Sequence, residues 1–517
     1  MFTIMSAAEA AALIGDGDTI CINSFLTLGN PEVLHKALAE RFQKTGHPKD
    51  LTLFCASGFG GWDETRYADS YISAGAVGRV IAGHVGSMPA VVRMAQSGEI
   101  EAYNMPLGVL SHVLRAAASR KEGYLSEVGL GIFVDPRRDG PGLNSRSKEE
   151  LVKLVELEGR EYLYYKTPKI DVAFIKGTSV DPNGNITFEK ECLTIDALST
   201  AQAAKANGGI VIVQVEKVSH LFSRPRNVIV PGVLVDAVVV CPDQKQLLDE
   251  AYNPTLSGDI HVPPSHMNYW MGEMRLSGKR GSLEADTAHE FIGERAAHEL
   301  KEGQVVNIGI GIPEMVGRYA SKRGILEHID LTVESGGIGG LPAPGIAFGA
   351  VIGADIITDM AQQFDFYDGG GLDICFMGGY EVDRHGNVNA HVVGGRFAGI
   401  GGFANITSAT PVVVFCMTFS AIGLEVERRG NGVRIVKEGS RQKFKNSIEA
   451  LSFSAQRALQ RGQRVLYVTE RCVFCLTDQG LMLCEVYDGV DLQKDILGKL
   501  DFDVQLGAGV KTQQQGN

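Results

Sequence analysis

Four short runs of Val, Ile, Leu, Phe and Cys set the rhythm of the chain, at 51–55, 210–215, 331–333 and 412–417. They are too short for buried helices and too apolar for half-exposed strands, which predicts parallel strands covered on both faces. Between them, apolar positions recur at helical spacing over 31–43, 92–98, 197–206, 285–301 and 441–461. Two polar clusters, Asp-Pro-Asn-Gly-Asn at 181–185 and Asp-Arg-His-Gly-Asn at 383–387, interrupt alternating runs and predict hairpin turns. The pattern is that of an α/β protein with mixed, mainly parallel sheets.

The chain also repeats itself. Asp171, Phe174, Gly177, Asp181, Gly184 and Asn185 recur as Asp373, Phe376, Gly379, Asp383, Gly386 and Asn387, all 202 residues later. Upstream, "DLTLFCASGFGG" (50–61) resembles "DLTVESGGIGG" (330–340). A Gly-Xaa-Pro-Glu element precedes each block, at Gly29–Glu32 and Gly311–Glu314. The order is the same in both halves, so the expectation is two similar open α/β domains. The boundaries read as 1–252, a Pro/Ser/Gly-rich connector at 253–284, a second domain at 285–506, and a polar tail at 507–517. The upstream offset is about 282 rather than 202, which places extra residues of the first copy within 85–168.

Composition narrows the function. With 49 basic and 61 acidic residues the formal charge is −12, which argues against nucleic acid as a partner. No apolar run reaches the roughly 18 residues that span a membrane. The N-terminus lacks a basic segment followed by an apolar core, so the cytoplasm is the expected location. Nine cysteines lie mostly in apolar, strand-like runs and read as reduced and buried. Cys472 and Cys475 form a Cys-x-x-Cys, but their segment alternates like a strand and offers no helix start or second ligand pair. The twelve histidines show no metal spacing, so no metal is expected.

Glu334 is the candidate for chemistry. It follows an apolar strand and opens "SGGIGG", so a carboxylate stands at the strand end where α/β sheets bind ligands. Backbone N–H groups of the glycines after it are free to approach an oxyanion or phosphate. The first copy carries Phe54 at the matching place. Two further glycine segments, 364–373 and 399–407, are candidate cradles for a phosphorylated ligand. A dinucleotide fingerprint fails, because in Gly309-Ile-Gly311-Ile-Pro313-Glu314 the third glycine is replaced by Glu. There is no P-loop, no Gly-x-Ser-x-Gly and no His-Glu-x-x-His.

The motifs "VESGGIGGLPAPG", "NIGIGIPE", "QFDFYDGGGLDICF" and "GIGGFANIT" together resemble the class I coenzyme A transferases, chiefly the fused single-chain acetate and propionate type. The resemblance runs from about residue 3 to about 500. It implies a tandem of two such domains, with CoA as a substrate and no permanently bound cofactor. Acyl-CoA and carboxylic acids would be the partners, in a homo-oligomer. It makes Glu334 the nucleophile, passing through a glutamyl-CoA thioester. It assigns Gly401 and Gly402 to CoA contact and oxyanion donation, and Gly309 and Gly311 to a turn near CoA. Many members carry Gln where this chain has Leu107, and leucine has no proton to donate. Asn104 or a backbone N–H is the substitute donor to look for, or the acyl pocket takes a bulkier group. An acyl-CoA hydrolase on the same scaffold, a nicotinamide-dependent oxidoreductase and a non-catalytic binding protein are the alternatives.

Overall fold

The structure is a computed structural model that describes residues 2–262 and 287–510. The chain divides into two compact units. The first holds the described residues 2–262 together with Val333–Asp365 and Arg396–Asn405; the second holds the remainder. These boundaries cut through the expected 285–506 domain, because the segment with Glu334 groups with the N-terminal residues. Most of the expected connector, from 263 onward, and the tail from 511 lie outside the described residues.

In the first unit eight strands pair in parallel. Their order is Thr3–Ile4, Ala237–Val240, Ile210–Val218, Val172–Val180, Thr19–Ile22, Leu51–Cys55, Val77–Ala82 and Glu101–Asn104. Val172–Val180 is buried along its whole length, as a central strand covered on both faces must be. The helix Ala197–Ala206 is rich in alanine, the best helix former, and stops at Asn207 and Gly208. Residues 85–168, where the extra length was expected, contribute the last strand and the helix Leu107–Ala118. They also add a separate antiparallel sheet of Gly123–Ser126, Arg160–Lys166 and Val152–Leu157.

The second unit has a parallel set in the order Asp330–Thr332, Val305–Ile308, Ile374–Met377, Val412–Cys416 and Arg464–Val468. Antiparallel strands Cys472–Thr477 and Gly480–Val486 extend it. The repeat appears as identical local bonding. The Asp171 carboxylate accepts the Thr19 N–H (3.0 Å), and that of Asp373 accepts the Val305 N–H (2.8 Å). Both predicted hairpins form, with Asp181 N–H to Asn185 O and Asp383 N–H to Asn387 O at 3.0 Å. Helices begin at Glu32 and Glu314, the last residue of each Gly-Xaa-Pro-Glu element.

Three expectations change. Residues 441–461 are mainly short strands and loops, with a helix only at Ala455–Gln460. The Asp-Gly-Gly-Gly of 368–371 closes the helix Met360–Asp368: Gly370 and Gly371 N–H donate to Tyr367 and Phe366 carbonyls, so the segment is a helix end rather than a phosphate cradle. Cys475 is not a free thiol; it is joined to Cys484 on the neighbouring strand, while Cys472 is buried and unpaired with it. Among the described residues no group of His, Cys, Asp or Glu has a metal-holding arrangement, and no helix is long and apolar enough to cross a membrane.

Candidate active site

The eight parallel strands of the first sheet all end on one side, while Ile186–Thr187 adds an antiparallel pairing at the end of Val172–Val180. Two segments from late in the chain lie on that side. Val333–Asp365 is tied down at several points. Thr27 Oγ1 donates to the Ile346 carbonyl (2.6 Å), and the Phe25 and Phe348 rings pack at 6.2 Å. Met360 N–H donates to the Ile195 carbonyl (2.9 Å). His112 Nε2 and Arg115 Nη1 each bond the Asp365 carboxylate at 2.7 Å.

Glu334 stands in the first turn of this segment, partly exposed. The turn is closed by Val333 N–H to Gly337 O (2.8 Å) and Gly336 N–H to Val333 O (3.0 Å). Ser335, fully buried, donates its hydroxyl to the Gly349 carbonyl. Gly336 takes φ +120°, and a Cβ there would lie 2.2 Å from the Thr358 carbonyl oxygen. Only glycine fits, so the carboxylate is carried on a backbone fixed on both sides.

The second segment, Arg396–Asn405, covers the ends of Val77–Ala82 and Glu101–Asn104. Val85 and Gly86 N–H donate to the Ala398 carbonyl at 3.0 and 2.7 Å. Gly399 has φ +90°, and a Cβ on it would meet Val85 N at 2.8 Å and His84 Cα at 2.9 Å. Gly401 N–H donates to Gly83 O (2.7 Å) and its carbonyl accepts the Leu107 N–H (2.9 Å). The N–H of Gly402 meets no acceptor among the described residues. Of the two N–H groups, only that of Gly401 is thus taken up by a protein carbonyl.

Asn104 is buried and fully used. Its Nδ2 donates to the Ala82 and Gly83 carbonyls (2.9 and 2.7 Å), and its Oδ1 accepts the Ile400 N–H (2.9 Å). It is a clamp on the glycine loop, not the substitute oxyanion donor. Leu107 is 1% exposed and opens the helix Leu107–Ala118. Leu107→Gln should bury an amide at a cost of about 1–3 kcal/mol. Urea denaturation checks this: a lower unfolding midpoint is the expected result.

Other groups at these strand ends are quiet. Burial pushes the Cys55 thiol up to about 12, so it is no thiolate nucleophile at neutral pH. Burial also lowers His84 to about 4, leaving a neutral imidazole beside the loop.

Gly309 and Gly311 belong to the second unit, apart from Glu334, Gly401 and Gly402. Gly309 N–H donates to Phe376 O (2.8 Å) and Gly311 N–H to Glu314 Oε1 (2.9 Å). Both N–H groups serve the strand end and the helix start, which leaves neither for a ligand.

Residues 4–241 and 289–454 match the sequence family described as Coenzyme A transferase. The chain is 41% identical over 506 residues to the Escherichia coli K12 acetate CoA-transferase YdiF, covering 96% of this chain and 92% of that enzyme. It is 39% identical over 525 residues to the caffeate CoA-transferase of Acetobacterium woodii, covering 100% of this chain and 97% of that one. The crystal structure of the acyl-CoA transferase YdiF apoenzyme from E. coli O157:H7 superposes with a TM-score of 0.91 at 39% identity, covering 98% of this chain and 94% of that one. The same enzyme in its thioester complex with CoA gives a TM-score of 0.90. With a match this long and a fold this similar, the chain belongs to the coenzyme A transferase family and is a CoA-transferase.

Proposed function

We propose that this enzyme moves CoA between carboxylic acids by a ping-pong route through Glu334. The Glu334 carboxylate attacks the acyl-CoA carbonyl; a C–O bond forms, the C–S bond breaks, and CoA leaves as thiolate. The thiolate attacks the glutamyl carbonyl of the resulting anhydride. That releases the first acid as carboxylate and leaves a glutamyl-CoA thioester. A second carboxylate attacks the thioester, and the steps reverse to give the new acyl-CoA. Carboxylates are ionised at neutral pH as a class, so no general base is called for. What the route does require is a donor for each developing oxyanion, and the Gly402 N–H takes that role.

The observation that supports this is the fixed turn of Glu334 at the carboxyl end of a parallel sheet, in one compact unit with the 396–405 glycine loop. Relatives named as transferases favour a carboxylate over water as the acceptor. Their named acids, acetate and caffeate, differ greatly in size, so the substrate is assigned here only as a carboxylic acid, with short-chain acids first in line. CoA is a substrate and not a resident cofactor, and the reading includes a homo-oligomer in the cytoplasm.

The test is intact-protein mass after mixing with acetyl-CoA and longer acyl-CoAs, without acceptor. A CoA-sized adduct on wild type that is absent from Glu334→Ala is the expected result. No adduct from any donor would remove the covalent route.

A further inference from the structure

Ile195 is β-branched yet held at φ +57°, a conformation that persists only where its surroundings impose it. Those surroundings are a knot of bonds that leads to Glu334. The Ile195 carbonyl accepts the Met360 N–H (2.9 Å), and Thr194 Oγ1 donates to the Thr358 carbonyl (3.3 Å). Thr358 N–H donates to the Gly336 carbonyl (2.9 Å), two residues past Glu334. Beside Ile195, Asp196 is 1% exposed. Its N–H donates to Asn23 Oδ1 (2.9 Å), and Ser111 Oγ donates to its Oδ1 (2.6 Å). Its Oδ2 is buried with no hydrogen-bond partner among the described residues. Asp359 lies between the two anchor residues Thr358 and Met360, and its Oδ1 accepts the Ala361 N–H (3.0 Å).

We infer that Asp196 is a positioning residue for the transfer reaction: paired with Asp359, its carboxyl latches residues 358–361 to the 194–196 corner and so sets the turn that carries Glu334. The inference rests on the role proposed for Glu334. A buried carboxylate with an orphan oxygen next to a second carboxylate is costly unless one of them keeps a proton. Burial first, and the charge of Asp359 second, push Asp196 well above the usual carboxylate range. Burial raises Asp359 as well. Arg115 faces the pair and opposes the rise, but it is bonded to Asp365, which raises Asp359 and is shared with His112. Cys21 and Cys55, on the strands behind, are kept as neutral thiols by burial. A proton on Asp196 Oδ2 lets the pair sit together. Its loss sets a buried negative charge on Asp196 against that of Asp359, which is only partly exposed.

The sign follows. The folded form holds a proton that the unfolded chain gives up near about 3.9, so the pair's contribution to stability is full below that pH and shrinks as pH rises. Wild type should therefore lose kcat and thermal stability on the alkaline side. Asp196→Asn and Asp359→Asn each remove one ionisable partner. Both should keep kcat within about threefold of wild type near pH 7, and both should flatten the alkaline decline. Asp196→Ala removes the latch, and its kcat should fall at least about tenfold with KM for acyl-CoA little changed. The rate of CoA adduct formation separates the two ideas. If wild type forms no adduct, the Glu334 reading fails. If wild type and Asp196→Ala label equally fast, or both Asn variants keep the wild-type alkaline limb, the latch is wrong.

Discussion

Glu334→Ala should lose turnover by at least about ten-thousandfold, on the role proposed for it, and should still fold and bind acyl-CoA. The size follows from what is removed. A covalent route has no second path once its nucleophile is gone, and loss of a nucleophile leaves only the rate that binding and oxyanion donors supply. Folding survives because the side chain is partly exposed, while the turn is held by its backbone and by buried Ser335. Glu334→Asp is the finer probe. It keeps the charge but withdraws the carboxylate by one methylene, roughly 1.5 Å, which costs about a hundredfold where the reacting atoms must meet closely. Steady-state kcat with acetyl-CoA and a second short-chain acid measures both. Turnover within tenfold of wild type in the Ala variant would exclude Glu334 as the nucleophile.

The sequence disclosed the architecture well, because a tandem repeat doubles each signal. Asp171 and Asp373, or the turns at 181–185 and 383–387, do the same local work twice, and either copy checks the other. Local chemistry was readable for the same reason: alanine-rich 197–206 is a helix with those bounds. Over 441–461 helical spacing misled, since short strands in loops are held by partners far away, such as Phe444 opposite Val382. The closing of a helix by Asp-Gly-Gly-Gly looked like a ligand loop because both need backbone without side chains. Glu334 was visible as a carboxylate at a strand end. What ties down its segment was not, since Thr27 reaches Ile346 across 319 residues, and neither was the clamp on the glycine loop, where Ile400 reaches Asn104 across 296. No spacing in a single sequence encodes such pairs. Nor could it show that the Glu334 segment groups with the N-terminal unit, since that is a matter of contacts and not of chain order.

Asn104 supports the second large effect. Among side chains only an amide can donate twice and accept once in one plane, and that is what this position demands. The Nδ2 protons go to Ala82 O and Gly83 O, and Oδ1 takes the Ile400 N–H, with the residue wholly buried. Gly83 O keeps a second donor, Gly401 N–H, so truncation at 104 strands the Ile400 N–H above all. Leaving such a buried group unmet costs about 1–3 kcal/mol, and losing the clamp's other bonds adds to it. Asn104→Ala should therefore lose about 2–4 kcal/mol. Asn104→Asp should lose more, although it is nearly isosteric, because a carboxylate would face two carbonyl oxygens with no proton to offer. The functional cost comes from the same bond. Ile400 leads directly into Gly401 and Gly402, and a loop displaced by an ångström would misplace the Gly402 N–H proposed as oxyanion donor, worth about a hundredfold in kcat. Urea denaturation and steady-state kinetics on the two variants test the argument together. If Asp is tolerated better than Ala, the amide is not read as a donor, and the clamp assigned to Asn104 fails along with the Gly402 geometry that depends on it.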